Sequence, residues 1–194
     1  SSSCLVPAPE GLRSIGRIWV FEDITAQREA AKQLQQMAER DPLTNLYNRR
    51  RFHEELVRML ADGQRRGEGV GLLAIDLDGF KPVNDRFGHQ AGDEVLVRLA
   101  TAVGAVVRRN EMFFRLGGDE FAILVPSATA LELAELARRV TGCVAGLRFT
   151  FGDETVAVTA SLGIAFSPQQ GGGPEGLVGA ADRAMYVAKT QGGN

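Results

Sequence analysis

Apolar positions along the 194-residue chain change their spacing several times, and each change predicts an element. Arg17-Ile-Trp-Val-Phe21 reads as a short strand, rich in branched and aromatic residues. The run Ala26–Arg40 lacks Gly and Pro and carries a thin apolar stripe (Ala30/Ala31, Leu34, Met37/Ala38) at helical spacing, which suits a connecting helix, a weak dimer seam or a solvated helix packed on its own domain. Phe52, Leu56 and Met59/Leu60 mark an amphipathic helix that ends in the Gly-rich turn Gly63–Gly71. Val70–Asp76 is almost continuously apolar, as a strand covered on both faces must be. A helix from about Asp93 buries Leu96, Leu99, Val103 and Val106, and the strands Met112–Leu116 and Glu120–Val125 are joined by a Gly117-Gly118-Asp119 hairpin turn. Thr129-Ala-Leu-Glu132 is a capping box that opens a helix with Leu133, Leu136, Val140 and Val144 on one face. Thr155–Phe166 alternates as one half-buried strand, and the loop Gly171–Pro174 leads into a last helix with Leu177, Ala181, Ala184 and Ala188. Strand, helix, hairpin, helix, strand, helix describes an α+β domain close to the ferredoxin-like arrangement, a mixed sheet flanked by helices.

Composition narrows the function classes. Twenty-two basic against 24 acidic residues leave a net charge of −2, without the cationic field that nucleic acid or an anionic membrane requires. Apolar stretches are broken within about ten residues, short of the ~20 that cross a bilayer, and the Ser-rich start has no apolar export segment. Cys4 and Cys143 are far apart and belong to no Cys/His grouping, so a disulfide framework or zinc site is not expected and a reducing cytoplasm fits.

The candidate chemistry is acidic. Asp76 and Asp78, two apart at the end of an apolar strand, point to one side, where their repulsion is relieved by a cation, or where they simply bond the following loop at Gly79. Gly117-Gly118-Asp119-Glu120 adds a second acidic pair at a tight hairpin tip whose glycines leave a ligand unobstructed; alone, such a sequence is usually only a turn. Asn84 and Asp93 offer an amide and a carboxylate suited to the edge of a guanine, although Asp93 also reads as a plain helix N-cap. Lys81 and Lys189 can reach phosphates, and His89 is a ligand contact or an ordinary loop residue.

Asp41-Pro-Leu-Thr-Asn-Leu-Tyr-Asn-Arg49, Asp76-Leu-Asp-Gly-Phe-Lys81, Asn84-Asp85, Gly88-His89, Gly92-Asp93, Arg115-Leu-Gly-Gly-Asp-Glu-Phe121 and Ala184-Met-Tyr-Val-Ala-Lys189 together resemble the GGDEF family of diguanylate cyclases, from about Asp41 to the C-terminus. The resemblance implies a nucleotidyl-cyclase-like fold for residues 41–194, preceded by the end of a PAS-type sensor over 1–25 and a signalling helix over 26–40. It further implies condensation of two GTP into cyclic di-GMP across a homodimer. Asp76, the Leu77 carbonyl and Asp119 would bind Mg²⁺, with Mn²⁺ as an alternative. Asn84, Asp93, His89, Phe80, Gly117, Gly118 and Lys189 would contact the nucleotide. Lys81, Asp119 and Glu120 would serve the reaction, Asp119 leading as the base for the 3′-hydroxyl. Arg108 and Glu111 stand where the family has a product-inhibition pair, with Glu in place of Asp, and Gly193 stands where an arginine is usual. The rival expectation is a catalytically weak module that binds GTP or cyclic di-GMP and regulates a neighbour such as a phosphodiesterase domain.

Overall fold

The computed structural model describes residues 2–6, 16–20, 22–28, 38–167 and 173–190. Most of the helix expected over 26–40, the first residues of the 171–174 loop and the Gly192-Gly193-Asn194 ending lie outside the described residues. The chain divides into two units, Ser1–Ala38 and Glu39–Asn194. The first contains an antiparallel pair, β1 (Ser2–Val6) with β2 (Gly16–Val20), the latter being the expected strand. Among the described residues no helix is long and apolar enough to cross a membrane.

The second unit is built around a four-stranded sheet of β3 (Val70–Asp78), β4 (Met112–Gly117), β5 (Glu120–Pro126) and β8 (Thr159–Ser167), in the order β4-β5-β3-β8. That is the ferredoxin-like order, and every neighbouring pair runs antiparallel. The mixture of strand directions expected from the sequence is therefore confined to strands that are not neighbours and to one isolated parallel bridge, Tyr47 to Phe114, at the β4 edge.

The side-chain period of two divides β3 between two cores. Leu73, Ile75 and Leu77 join Val95, Leu96, Leu99 and Val103 of α3 (His89–Val106) and Leu133, Leu136 and Val140 of α4 (Ala130–Ala145). Val70, Leu72 and Ala74 face the other way, onto Phe52, Leu56 and Met59 of α1 (Arg49–Arg66) and Leu177 and Ala181 of α5 (Gly173–Thr190). Each of these fully buried aliphatic side chains contributes about 1.5–3 kcal/mol. Asp76 and Asp78 continue the even row and so emerge on the α5 face.

Caps follow the local sequence. Asn48 accepts the Arg51 amide at 3.0 Å to open α1, which runs through Gly63 and ends at left-handed Gly67, inside the expected Gly63–Gly71 turn. The Thr129–Glu132 capping box is present at the start of α4. At Gly163 on β8 a methyl carbon would stand 2.0 Å from the Ala181 carbonyl oxygen and 2.7 Å from the Met185 nitrogen, so only glycine lets α5 lie this close to the sheet.

Three sequence expectations are corrected. Phe80–Phe87 is a helix, α2, and α3 begins at His89 with Gly88 before it, so Asp93 lies inside α3 and caps nothing. Thr155–Phe166 is two strands: β7 (Glu154–Val156) pairs with β6 (Phe149–Phe151) in a separate hairpin, and β8 starts at Thr159. The half-buried reading of this strand is corrected as well: on the β8 face that carries Thr159, Ser161 and Gly163, Ser161 is fully buried and Ala165 nearly so.

Candidate active site

Asp76 sits where β3 emerges from its apolar run, 9% exposed, directly across the ladder from Glu120 on one side and Ser161 on the other. Lys189, near the end of α5, places Nζ 2.7 Å from Asp76 Oδ1. Burial pushes the Asp76 carboxyl above the ordinary carboxylate range; the Lys189 hydrogen bond and charge oppose this, and the negative charges of Asp119 and Asp78 reinforce it. Burial alone would lower the Lys189 ammonium, but the hydrogen bond and charge of Asp76, with the charges of Asp78 and Asp119, hold it above its usual value. Asp78 accepts the Thr159 hydroxyl at 2.9 Å and the Ser161 hydroxyl at 2.8 Å, so its oxygens are engaged by β8 while Asp76 remains turned to the cleft.

The hairpin tip reaches this cluster. The Leu77 amide donates to the Asp119 carbonyl oxygen at 3.3 Å, which lays the turn residue over the end of β3. The register shifts between Arg115 and Gly117, a bulge that re-aims the tip, and Gly118 is left-handed at φ 51°. Glu120 is exposed on the same side of the sheet as Asp76, because residues directly opposite in a ladder share a face. Asp76, Glu120, Met185, Tyr186 and Lys189 line a cleft of about 620 Å³.

The structure also holds the tip from below through a pair that sequence reasoning did not single out. Arg115 donates Nε and Nη2 to the Gly118 carbonyl oxygen at 3.1 and 2.9 Å, and Nη1 to Asp41 Oδ1 at 2.9 Å. Asp41 also accepts the Thr44 amide at 2.8 Å and hydroxyl at 2.6 Å. Both residues lie in the motifs that carried the resemblance, which was the available signal. Asn45 takes the left-handed conformation at φ 56°, which asparagine tolerates.

The remaining candidates form a second group on α2 and α3. Phe80 packs against the core and Lys81 is exposed on the first turn of α2. Asn84, on the last turn, lays its amide against the backbone of Gly92, while His89 and Asp93 are exposed along the start of α3. Arg108 and Glu111 lie elsewhere, before β4: Glu111 accepts the Arg108 amide at 2.6 Å and Arg139 Nη2 at 3.0 Å, with its side chain 5% exposed.

Among the described residues no three or more His, Cys, Asp or Glu side chains form a metal cage. The strand end and the hairpin tip bring the charges of Asp76 and Asp119 to one ammonium, and two carboxylates make the sparse set that Mg²⁺ takes when substrate oxygens and water complete its shell. Three carboxylates around one ammonium leave a net negative site that a hard cation fits.

Comparison with known proteins places this geometry. The family described as diguanylate cyclase, GGDEF domain, matches residues 38–194. Diguanylate cyclase TpbB of Pseudomonas aeruginosa is 40% identical over 160 residues, 81% of this chain and 37% of that protein. Response regulator PleD of Caulobacter vibrioides is 37% identical over 161 residues, 82% of this chain and 36% of that protein. The chain thus spans about a third of the length of the curated relatives it matches. The solved structure of the coiled coil and GGDEF domain of DgcB from Caulobacter crescentus, in complex with c-di-GMP, has a TM-score of 0.82 at 31% identity and covers 88% of this chain and 91% of that one. A match that takes in the acidic strand end, the hairpin and the last helix together leaves one assignment: the chain belongs to the GGDEF domain family of diguanylate cyclases.

Proposed function

We propose that this chain condenses two GTP into cyclic di-3′,5′-GMP with release of pyrophosphate, each nucleotide held by one copy of a homodimer. The observation that carries the reading is the meeting of acidic strand end and hairpin tip: Asp76 buried against Lys189, with the Asp119 backbone bonded to the next residue of β3. Asp76, Asp119 and the Leu77 carbonyl would hold Mg²⁺, or Mn²⁺ in its place, with Glu120 across the ladder. Once bound, the ion supplies charge neutralisation to the triphosphate.

The chain's own residues do the rest. Lys81 and Lys189 hold phosphate oxygens, Lys189 exchanging Asp76 for them when a nucleotide enters. Asn84 and Asp93 read the guanine edge with Phe80 and His89 beside it, and Gly117 and Gly118 leave the tip clear for ribose and phosphate. Asp119 takes the 3′-hydroxyl proton, with Glu120 as its support or substitute. In-line phosphoryl transfer asks mainly for alignment of attacking oxygen, phosphorus and leaving group, and the second copy supplies it. Residues 1–25 are read as the end of a PAS-type sensor, 26–40 as the signalling helix that sets the dimer, and 41–194 as the cyclase domain, working in the cytoplasm where GTP is available. In the full-length protein a phosphodiesterase domain is a candidate neighbour. Incubation with GTP and Mg²⁺ at high protein concentration, followed by product chromatography, tests this: cyclic di-GMP is expected from the unaltered chain and none from Asp119→Ala. GTP recovered intact from demonstrably dimeric protein overturns the reading.

A further inference from the structure

Asn84 and Gly92 come from consecutive helices, and their contact is closer than any residue other than glycine would permit. A methyl carbon added at Gly92 would lie 2.0 Å from Asn84 Oδ1, 2.9 Å from its Cγ and 3.2 Å from its Nδ2. Oδ1 and Cγ are inside the distance that a real β-carbon keeps, and Nδ2 is tighter than ordinary van der Waals contact. The helix gives no backbone reason for glycine here. Gly92 is buried within α3, it is absent from the positive-φ glycines, and its amide donates to the Gly88 carbonyl at 3.4 Å as an ordinary helical residue does. In the interior of a helix alanine is preferred to glycine, which leaves more backbone freedom to be lost on folding. A residue that costs helix stability, and whose missing side chain is filled by the head of a neighbouring polar residue, is a seat for that residue.

We infer that Gly92 is a positioning residue for base recognition: it seats the Asn84 amide on the backbone of α3, one residue from Asp93, so that the two groups proposed to read guanine are held by the same turn. This inference rests on the proposed role of Asn84. The α2 end of the seat is fixed as well, since the Gly88 amide donates to the Asn84 carbonyl at 2.9 Å and α3 starts immediately afterwards. The Asn84 backbone therefore cannot easily yield, and a β-carbon at position 92 must swing the amide itself by more than an ångström. Its planar donor–acceptor head would then miss a fixed guanine edge, because hydrogen bonds weaken steeply with misalignment.

The experiment is a double-mutant cycle on the whole chain, Gly92→Ala, Asn84→Ala and the pair, read by equilibrium binding of GTP and of ITP, which lacks the exocyclic 2-amino group, and by the thermal midpoint. Gly92→Ala is expected to weaken GTP binding about tenfold, to lower the preference for GTP over ITP, and to leave the thermal midpoint level or raised. In the Asn84→Ala background the same change is expected to cost nothing further, since the space it needs is then empty; that variant also keeps the test valid should the single change fold poorly. GTP binding that survives Gly92→Ala, or a loss that repeats undiminished without Asn84, overturns the inference while leaving the reading of Asn84 intact. GTP binding unaffected by Asn84→Ala alone removes that reading and the inference with it.

Discussion

Replacing Arg115 isolates what positions the hairpin tip. Its guanidinium makes three hydrogen bonds, two in a fork to the Gly118 carbonyl and one to Asp41, with the two side chains 12% and 18% exposed. Removing one member of a well-buried charged pair costs ~3–5 kcal/mol. Here Asp41 keeps both Thr44 bonds and the pair keeps some water, so about 2–3 kcal/mol is expected for Arg115→Met, or roughly 5–10 °C in thermal midpoint for a domain of this size. Arg115→Lys separates charge from geometry: an ammonium can still face Asp41 but cannot grip Gly118 with two parallel N–H groups. It should recover about half of the stability and little of the turnover, because a tip freed by an ångström costs up to ~100-fold in an alignment-limited reaction. Urea denaturation and initial rates of cyclic di-GMP formation report the two quantities. A lysine variant with unaltered kcat/KM, or a double-mutant cycle with Asp41→Asn showing no coupling, would refute the claim that this fork holds the tip in register.

Other expectations follow from the same geometry. Burial would raise the Asp41 carboxyl, but the Thr44 hydroxyl and amide and the Arg115 bond and charge outweigh it and hold the group below its ordinary value. Its contribution is therefore complete above the unfolded carboxylate pKa of about 3.9 and is lost as pH falls through the lower folded value, so the urea midpoint should drop more steeply on acidification in the natural chain than in Asp41→Asn. Gly163→Ala forces α5 off β8 and is expected to cost about 1–3 kcal/mol by overpacking and to reduce turnover by moving Lys189; a variant equal to the natural chain in both would show that the contact is soft. The Glu111 carboxylate is committed to the Arg108 amide and Arg139, so cyclic di-GMP added during turnover should leave the initial rate unchanged; a fall that Arg108→Ala abolishes would show that the pair opens to product.

What the sequence displayed and what it concealed divide along physical lines. The continuous apolar run of β3, the hairpin glycines and the Thr129 capping box act over a few residues, so period and turn chemistry were enough to find them. Helix α2 was hidden because Lys81-Pro82 and Asn84-Asp85 look like a loop; yet Pro82 falls in the first turn, where its missing N–H is one that no helix uses, and only Val83 is buried. The helix start near Asp93, and with it the N-cap alternative for that residue, fails because Gly88 and Gly92 both resemble helix starts and only the first is one. The break between β7 and β8 is invisible to periodicity, since Val156 and Val158 keep the same parity while the strand changes partners. The Asp76, Asp119 and Lys189 constellation was legible as a set of motifs, whereas the Arg115–Asp41 brace joins residues 74 apart, and no local pattern states which distant partner a buried arginine will find.

The close seating of α5 against Gly163 bears on how the protein is made. Lys189 belongs to the last described element, and it meets Asp76 only after that helix has docked on a strand that itself completes the sheet. While the chain is still being translated, the earlier strands and the acidic tip can assemble, but their counter-charge is inside the ribosome or newly outside it. Under the proposed cyclase reading, a fragment released before this helix is made lacks the cation that the finished site sets against Asp76.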